Sequence, residues 1–175
     1  MQPPHDTEHK VCYGDQRATV LKDGTVLDYF WTFHSGAGKY LNIHASASDD
    51  SGRSWRPLWD TGIDGQPGTP AQLADGRIAL IYIDRSGSPA IKMRVSDNGG
   101  RTFLAQTELV LHQPSLGVQT RDKQNVKDMW TEFQTLYSIG HADSKALANG
   151  DLIVVFYTGP KADETHIAWV RVSSS

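Results

Sequence analysis

The sequence predicts an all-β fold made of three consecutive antiparallel sheets, and two repeated features support this prediction. The first is a strand–turn–strand unit that occurs three times, at residues 18–31, 71–83 and 146–157. The second is an eight-residue polar element that follows the first two of these units, at residues 48–55 and 96–103. Repetition of one supersecondary unit along a chain is typical of sheets that stack against one another.

Each strand–turn–strand unit is predicted to be a tight hairpin. The turns contain Asp-Gly or Asn-Gly, with their glycines at Gly24, Gly76 and Gly150. These dipeptides tolerate the positive φ that two-residue hairpin turns require. The turn glycines are separated by 52 and then 74 residues (76 minus 24, and 150 minus 76), so the second interval contains an insertion.

The eight-residue element has the pattern Ser-x-Asp/Asn-x-Gly-x-Ser/Thr-aromatic. Asp50 and Asn98 are expected to accept hydrogen bonds from backbone amides of their own turns. The glycines take conformations closed to residues with a Cβ, and the aromatic rings pin the turns to the sheets. The predicted turn formers are Ser48, Asp50, Gly52, Trp55, Ser96, Asn98, Gly100 and Phe103. A calcium-binding role is disfavoured, because one carboxylate per turn is a poor cation cage.

This element resembles the Asp box, or bacterial neuraminidase repeat, of the sialidase superfamily. The resemblance implies a six-bladed β-propeller whose blades are four-stranded antiparallel sheets. It covers residues 13–175 as three blades, which is about half of a propeller. We therefore predict one partial propeller domain over residues 1–175, with blades at about 14–60, 68–111 and 142–173.

The alternation of strand direction predicts where functional residues lie. If the first strand of a sheet runs toward the hairpin turn, the eight-residue element between strands three and four lies at that same end. The opposite end then receives the loop between strands two and three and the crossover to the next sheet. Because function sits on loops displayed by a rigid scaffold, we expect the site at this opposite end.

The longer second interval predicts a helix over about residues 122–137, on a crossover. The interval exceeds the first by 22 residues (74 minus 52), and its apolar residues recur at steps of three and four. Asn125 or Asp122 is expected to cap the start of this helix, and Gly140 follows its end. Its apolar stripe is expected to pack against the sheets or to line one side of a pocket. The stripe consists of Val126, Met129, Trp130, Phe133 and Tyr137.

Composition and charge exclude several classes of function. The net charge is −3 with a pI near 6.1, so there is no basic field to hold nucleic acid. No stretch approaches the ~20 apolar residues of a membrane span, and Met1–Lys10 lacks the apolar core of a signal peptide. The localisation is therefore left open. The single cysteine, Cys12, excludes an internal disulfide, and no metal or cofactor motif is present.

The resemblance also implies a chemistry for the site. Sialidases use a tyrosine nucleophile with a glutamate as its base, an aspartate as acid/base, and three arginines that grip the substrate carboxylate. The residues expected to contact substrate are Arg17, Arg85, Gln16, Asp84, His141 and Asp143. Arg17 is followed by Ala-Thr instead of the Ile-Pro common after the family's first arginine. Its alternative role is a salt bridge with Asp15 or Asp84.

The catalytic candidates are Tyr137, Glu132 and Asp143. Tyr137 and Glu132 lie close in sequence beside the third sheet. Five positions apart on a helix, however, they project in different directions, and Tyr137 has a packing role as its alternative.

These observations predict a sialidase-like glycoside hydrolase domain that acts on terminal glycan sugars. The alternative is a non-catalytic propeller that binds glycan or protein, or an inactive truncated fragment. Three blades do not close a ring, so a homodimer is one way to complete six blades. Residues 8–13 would then supply an outer strand to the partner's third blade, or be the remnant of a deleted blade.

Overall fold

The computed structural model describes residues 10–85, 89–114, 138–161 and 163–173. The predicted helix over 122–137 lies outside the described residues, as do Tyr137 and Glu132. Within the described ranges every regular element is a β-strand, which confirms the all-β fold class. Within these ranges no helix has the length and hydropathy needed to cross a membrane.

The strands form three antiparallel sheets in chain order. The first contains β1 (Val11–Val20), β2 (Val26–His34), β3 (Lys39–Tyr40), β4 (His44–Ser48) and β5 (Trp59–Asp60), in the order β1-β2-β4-β5 with β3 paired to β2. The second contains β6 (Gln66–Pro67), β7 (Ala71–Gln72), β8 (Ile78–Asp84), β9 (Ala90–Ser96) and β10 (Leu104–His112), with β6 and β7 pairing with the same edge of β8. The third contains β11 (Ile139–Ala146), β12 (Leu152–Thr158) and β13 (His166–Val172).

The first strands of the sheets, here called the inner strands, lie next to one another: β1 beside β6, and β7 beside β11. The Thr69 N–H donates to the Ala142 carbonyl at 3.1 Å, and the Ser144 hydroxyl donates to the Thr69 carbonyl at 2.6 Å. Gly68 permits this approach, because a Cβ there would lie 2.6 Å from the Ala142 carbonyl oxygen. The three sheets therefore radiate from a common line of inner strands.

Two apolar clusters join the sheets, and β8 contributes to both because its side chains alternate between its faces. One face of β8, with Ile78, Leu80 and Tyr82, packs against Leu27, Tyr29 and Ala45 of the first sheet. The other face, with Ala79, Ile81 and Ile83, packs against Leu152, Val154 and Phe156 of the third sheet. The continuous apolar run of this strand is thus explained by burial on both faces.

The strand registers put both kinds of turn at one end of the sheets. Val26 pairs with Val20 across the Gly24 turn and with Ser48, where the first eight-residue turn begins. In the second sheet, Ile78 likewise pairs with both Gln72 and Ser96. This confirms the predicted placement. We call this the turn end, and the opposite end, at the ends of β2, β8 and β12, the loop end.

The eight-residue turns are closed by their own side chains, as predicted. The Ser48 hydroxyl donates to Asp50 Oδ1 and accepts from the Gly52 N–H, each at 2.8 Å. Asp50 then accepts from the Ser54 hydroxyl at 2.6 Å and from its N–H at 2.8 Å. These hydrogen bonds, the Ser54 hydroxyl first, lower the pKa of Asp50 to about 2. The second turn repeats the pattern with Ser96, Asn98, Gly100 and Thr102. The oxygens of Asp50 thus serve the turn itself.

The second eight-residue turn also anchors the first sheet. The Gly100 carbonyl accepts from the Tyr29 hydroxyl at 3.0 Å and from Trp59 Nε1 at 3.3 Å. Tyr29 is fully buried. In the first turn, by contrast, the Gly52 carbonyl accepts the indole N–H of its own turn, from Trp55 at 3.2 Å. The second turn is therefore part of the interface between two sheets.

The inner strands begin earlier than the sequence predicted. The sheets span residues 11–60, 66–112 and 139–172. Residues 11–13 pair with β2 and are thus part of the first sheet, whereas the sequence predicted residues 8–13 as part of the partner's third blade or as the remnant of a deleted blade. The predicted start of the first strand was late because the alternation of side chains is broken at residues 14–17. This break resembles the beginning of a strand, but in the structure it is a bulge within β1.

One face of the third sheet carries exposed apolar side chains. Ile167 is 71% exposed, Trp169 65% and Val155 37%. They are contiguous, because Val155 pairs with Trp169 and Tyr157 pairs with Ile167. The corresponding face of the second sheet is covered by the third sheet. The third sheet thus presents an apolar surface of the kind that its neighbour buries.

Candidate functional site

The first and third sheets meet through polar side chains of their inner strands. Nη2 of Arg17 on β1 lies 3.3 Å from Nδ1 of His141 on β11. The same guanidinium forms a salt bridge of 2.5 Å with Asp15, and its Nη1 donates to the Gln16 carbonyl at 3.0 Å. His141 is exposed to solvent. Three predicted substrate contacts, Arg17, Gln16 and His141, therefore lie together and accessible on the line of inner strands.

Both of these inner strands carry a bulge at the same distance from the hairpin. The pairing shifts by one residue within 14–17 of β1 and within 140–143 of β11. Asp15 and His141 each stand nine residues before a turn glycine (24 minus 15, and 150 minus 141), and each has a φ of 47°. Non-glycine residues in this region are strained and concentrate at functional sites. The two bulges thus contain the residues through which the first and third sheets meet, Asp15 and Arg17 on β1 and His141 on β11.

A buried carboxylate lies behind the bulge of β1. Asp28 on β2 is opposite the residue that follows Arg17, and it is 7% exposed. Burial raises the pKa of Asp28 to about 6, although the backbone N–H groups of Arg17 and Tyr29 lower it in part. Four residues after their own turn glycines, the other sheets have Leu80 and Val154 at this position. The carboxylate is therefore particular to the sheet that carries Arg17, and it was missed although it interrupts an apolar strand.

The ring of His141 is oriented by Tyr157 on the neighbouring strand. The two ring centroids are 5.8 Å apart with an interplanar angle of 44°. Gly140 makes room for this arrangement, because a Cβ there would lie 2.6 Å from the Tyr157 hydroxyl. His141 is thus held between Tyr157 and the Arg17 guanidinium.

Arg85, another predicted substrate contact, cross-links the second and third sheets. Its Nε donates to Gln66 Oε1 at 2.8 Å, and its Nη2 donates to the Ile139 carbonyl at 2.9 Å. These two donors are committed to protein oxygens. The observed role of Arg85 is to tie β6 to the start of β11.

The remaining predicted contacts, Asp84 and Asp143, pair with groups other than Arg17. Asp84 forms a salt bridge with Lys92 at 2.8 Å, so the alternative partner of Arg17 is Asp15 and not Asp84. The charge of Asp84 adds to the effect of burial in raising the pKa of Asp64. Asp143 is exposed, and its Oδ1 accepts from the Ser144 N–H at 2.9 Å.

A tyrosine–glutamate pair that the sequence did not reveal lies elsewhere. The Tyr82 hydroxyl donates to Glu108 at 2.6 Å, and Arg94 and Lys92 contact the same carboxylate at 2.6 and 3.3 Å. Tyr82 is 2% exposed in the core between the first two sheets, and burial raises its pKa. These contacts lower the pKa of Glu108 to about 2, with the Tyr82 hydrogen bond first. In this structure the Tyr82 hydroxyl is thus a buried hydrogen-bond donor to Glu108.

The chain resembles several known proteins. A 91-residue segment is 28% identical to a sialidase of Micromonospora viridifaciens, and covers 52% of this chain and 13% of that protein. A protein of unknown function from Dyadobacter fermentans aligns with a TM-score of 0.67 and 19% identity, over 95% of this chain and 40% of that one. The α-L-arabinanase of Penicillium chrysogenum aligns at 0.59 and 15% identity, over 97% and 48%. A Hadza microbial sialidase aligns at 0.57 and 15% identity, over 93% and 35%. No family model matches the chain.

These likenesses confirm that the fold is that of the sialidase-like and arabinanase-like β-propellers. The chain spans less than half the length of each protein compared above. The three sheets are therefore part of a propeller, arranged as in propeller glycoside hydrolases.

Proposed function

We propose that the chain belongs to a sialidase-like glycoside hydrolase that acts on a terminal glycan sugar bearing a carboxylate. The observation that carries this proposal is the contact between Arg17 and His141, which joins two inner strands at a solvent-accessible point. The sequence similarity to a sialidase over 91 residues supports the same substrate class. The planar guanidinium of arginine suits carboxylate recognition because it donates two parallel hydrogen bonds.

The other candidates take supporting or catalytic roles in this proposal. Gln16 and His141 line the site beside Arg17, and Asp143, two residues beyond His141 on β11, supplies the acid/base. Arg85 and Asp84, which were predicted to contact the substrate directly, instead stabilise the strands next to the site through their bonds to protein groups. Tyr137 and Glu132 remain the proposed nucleophile and base.

Replacing Arg17 with alanine is expected to lower kcat/KM for a fluorogenic sialoside by about 10- to 100-fold, because a charge-assisted hydrogen bond to the substrate is lost. The matched control is Arg77→Ala. Arg77 lies at the turn end, where it pairs with Asp75 at 2.6 Å, and its loss should leave turnover unchanged. Equal effects of the two substitutions, or no turnover of sialosides by the unaltered protein, would contradict the proposal.

A second candidate function is glycan binding without cleavage. The observation that favours it is that Arg85, the second arginine among the predicted substrate contacts, donates to Gln66 and to the Ile139 carbonyl. Calorimetric titration with sialyllactose, followed by chromatography of the sugar, distinguishes the two functions. Binding with the sugar recovered intact favours the binding module, and release of free sialic acid favours the hydrolase.

We also propose that the exposed face of the third sheet packs against a second copy of the chain. The size of the relatives supports a second copy, because this chain aligns with 48% of the arabinanase chain, so two copies approach one such propeller. Light scattering is expected to give twice the 19.3 kDa chain mass, and Trp169→Ser is expected to shift the protein toward the monomer. Val20→Ser is the control, since Val20 is 69% exposed on β1 at the turn end. A monomeric unaltered protein would refute this assembly.

A further inference from the structure

We propose that Arg17 fixes the tautomer of His141, so that His141 presents its Nε2–H to an oxygen of the sugar. The two residues then form one ligand-binding unit across the first and third sheets. The ligand part rests on the proposed function and names a specific contact in that site. The tautomer part stands on geometry alone.

The hydrogen-bonding chemistry of arginine determines the tautomer. A guanidinium carries five N–H donors and no acceptor, whereas neutral imidazole carries one donor and one acceptor. With Nη2 of Arg17 at 3.3 Å, Nδ1 of His141 must be the acceptor. The proton of the neutral ring is therefore on Nε2, on the side of the ring away from Arg17.

The surrounding residues hold both partners in this arrangement. The Gln16 carbonyl accepts from Nη1, and Asp15 Oδ1 contacts Nη2. Nη2 carries two N–H groups, one for Asp15 and one for the imidazole. Tyr157 packs against the His141 ring, and Gly140 leaves room for it. His141 has a φ of 47°, a strained backbone conformation of the kind that concentrates at functional sites. A contact that only joined two sheets would not require this strain.

The ligand that fits this unit is a sugar with acceptor oxygens, a carboxylate above all. Arg17 and the His141 Nε2–H both donate, and His141 is exposed. The carboxylate of such a sugar competes with Asp15 for Arg17, while a different oxygen of the sugar accepts from the Nε2–H, which points away from Arg17. A neutral hydroxyl in place of the carboxylate would accept a weaker hydrogen bond from Arg17 than an ionised group does, so the unit favours an acidic sugar.

The tautomer is tested by two-bond ¹H–¹⁵N NMR of histidine-labelled protein at pH 8. We expect the Nε2–H pattern for His141, and a mixed pattern in Arg17→Met, which lacks the donor. His166, an exposed histidine on β13, should be unchanged in that variant, and Arg77→Met is the matched arginine control. An Nδ1–H pattern in the unaltered protein, or the same pattern in Arg17→Met, would overturn the proposal.

The ligand contact is tested by titrating N-acetylneuraminic acid into the same sample. The His141 Nε2 signal is expected to shift to saturation while that of His166 does not. His141→Ala should weaken binding about tenfold, and His141→Gln, which keeps an N–H donor, should recover part of the loss. Binding that leaves the His141 signal unmoved would refute the contact but not the proposed function. If N-acetylneuraminic acid does not bind and the fluorogenic sialoside is not hydrolysed, the contact and the proposed function fail together, and the spectrum of the free protein still decides the tautomer.

Discussion

Replacing Gly100 with alanine is expected to destabilise the protein by about 3 kcal/mol, which combines the costs of a positive φ and of overpacking. Gly100 has a φ of 81°, so any side chain there is strained. Its Cβ would overlap the Tyr29 hydroxyl and lie 2.9 Å from Leu27. Tyr29 is fully buried between two sheets and has no free space into which to move. The hydrogen bond from Tyr29 to the Gly100 carbonyl is therefore lost as well.

Gly99→Ala is the matched control for this substitution. Gly99 has a φ of 73°, but a Cβ there meets nothing within 4 Å. It should cost only the strain of the backbone, about 1 kcal/mol. Urea denaturation followed by tryptophan fluorescence measures both values. If Gly100→Ala costs no more than Gly99→Ala, the second eight-residue turn is not packed against Tyr29 as described.

Replacing Asp28 with asparagine is expected to stabilise the protein by about 3 kcal/mol above pH 7, where the raised pKa of the buried carboxyl is costly. The folded pKa is about 6 against an ordinary value of 3.8. Below the ordinary value both states hold the proton and Asp28 has no effect. Between the two values only the unfolded state ionises, so stability falls as pH rises. Above the folded value the full penalty is present.

Because asparagine does not titrate, the stability gain from Asp28→Asn should grow between pH 4 and pH 7. Urea denaturation at pH 4.5, 6 and 7.5 measures this gain. Asp23→Asn is a control of opposite sign. Asp23 accepts from the Thr25 N–H at 2.9 Å, which lowers the pKa of Asp23. Its contribution is present above the ordinary pKa and is lost as pH falls, so Asp23→Asn should destabilise at neutral pH. A gain from Asp28→Asn that does not change with pH would contradict the burial of this carboxyl.

The turns were predictable from the sequence because their chemistry is local. The hydrogen bonds of Asp50 join residues at most four positions apart, and a glycine at a positive φ is visible in the Asn-Gly and Asp-Gly dipeptides. The direction of each strand then followed from simple alternation. The all-β class and the shared turn end needed no knowledge of long-range contacts.

The bulges were not predictable in the same way. In β1 the bulge at 14–17 breaks the alternation of side chains, and in the sequence alone this break indicates the beginning of a strand. Whether such a break ends a strand or bends it depends on pairing with β2, which lies on the other side of the hairpin. The buried position of Asp28 was not predictable either, because the role of a charged residue in an apolar strand depends on whether its side chain is buried.

Local sequence chemistry thus established the hairpins, the closed turns and the repeated antiparallel sheets of this protein, since each depends on residues a few positions apart. The identity of the site did not follow from it. Arg17 and His141 are 124 positions apart, and they meet only because the inner strands of three packed sheets converge on one line. The same packing buries Tyr82 between two sheets, where its hydroxyl donates to the partly exposed Glu108, 26 positions away in the sequence.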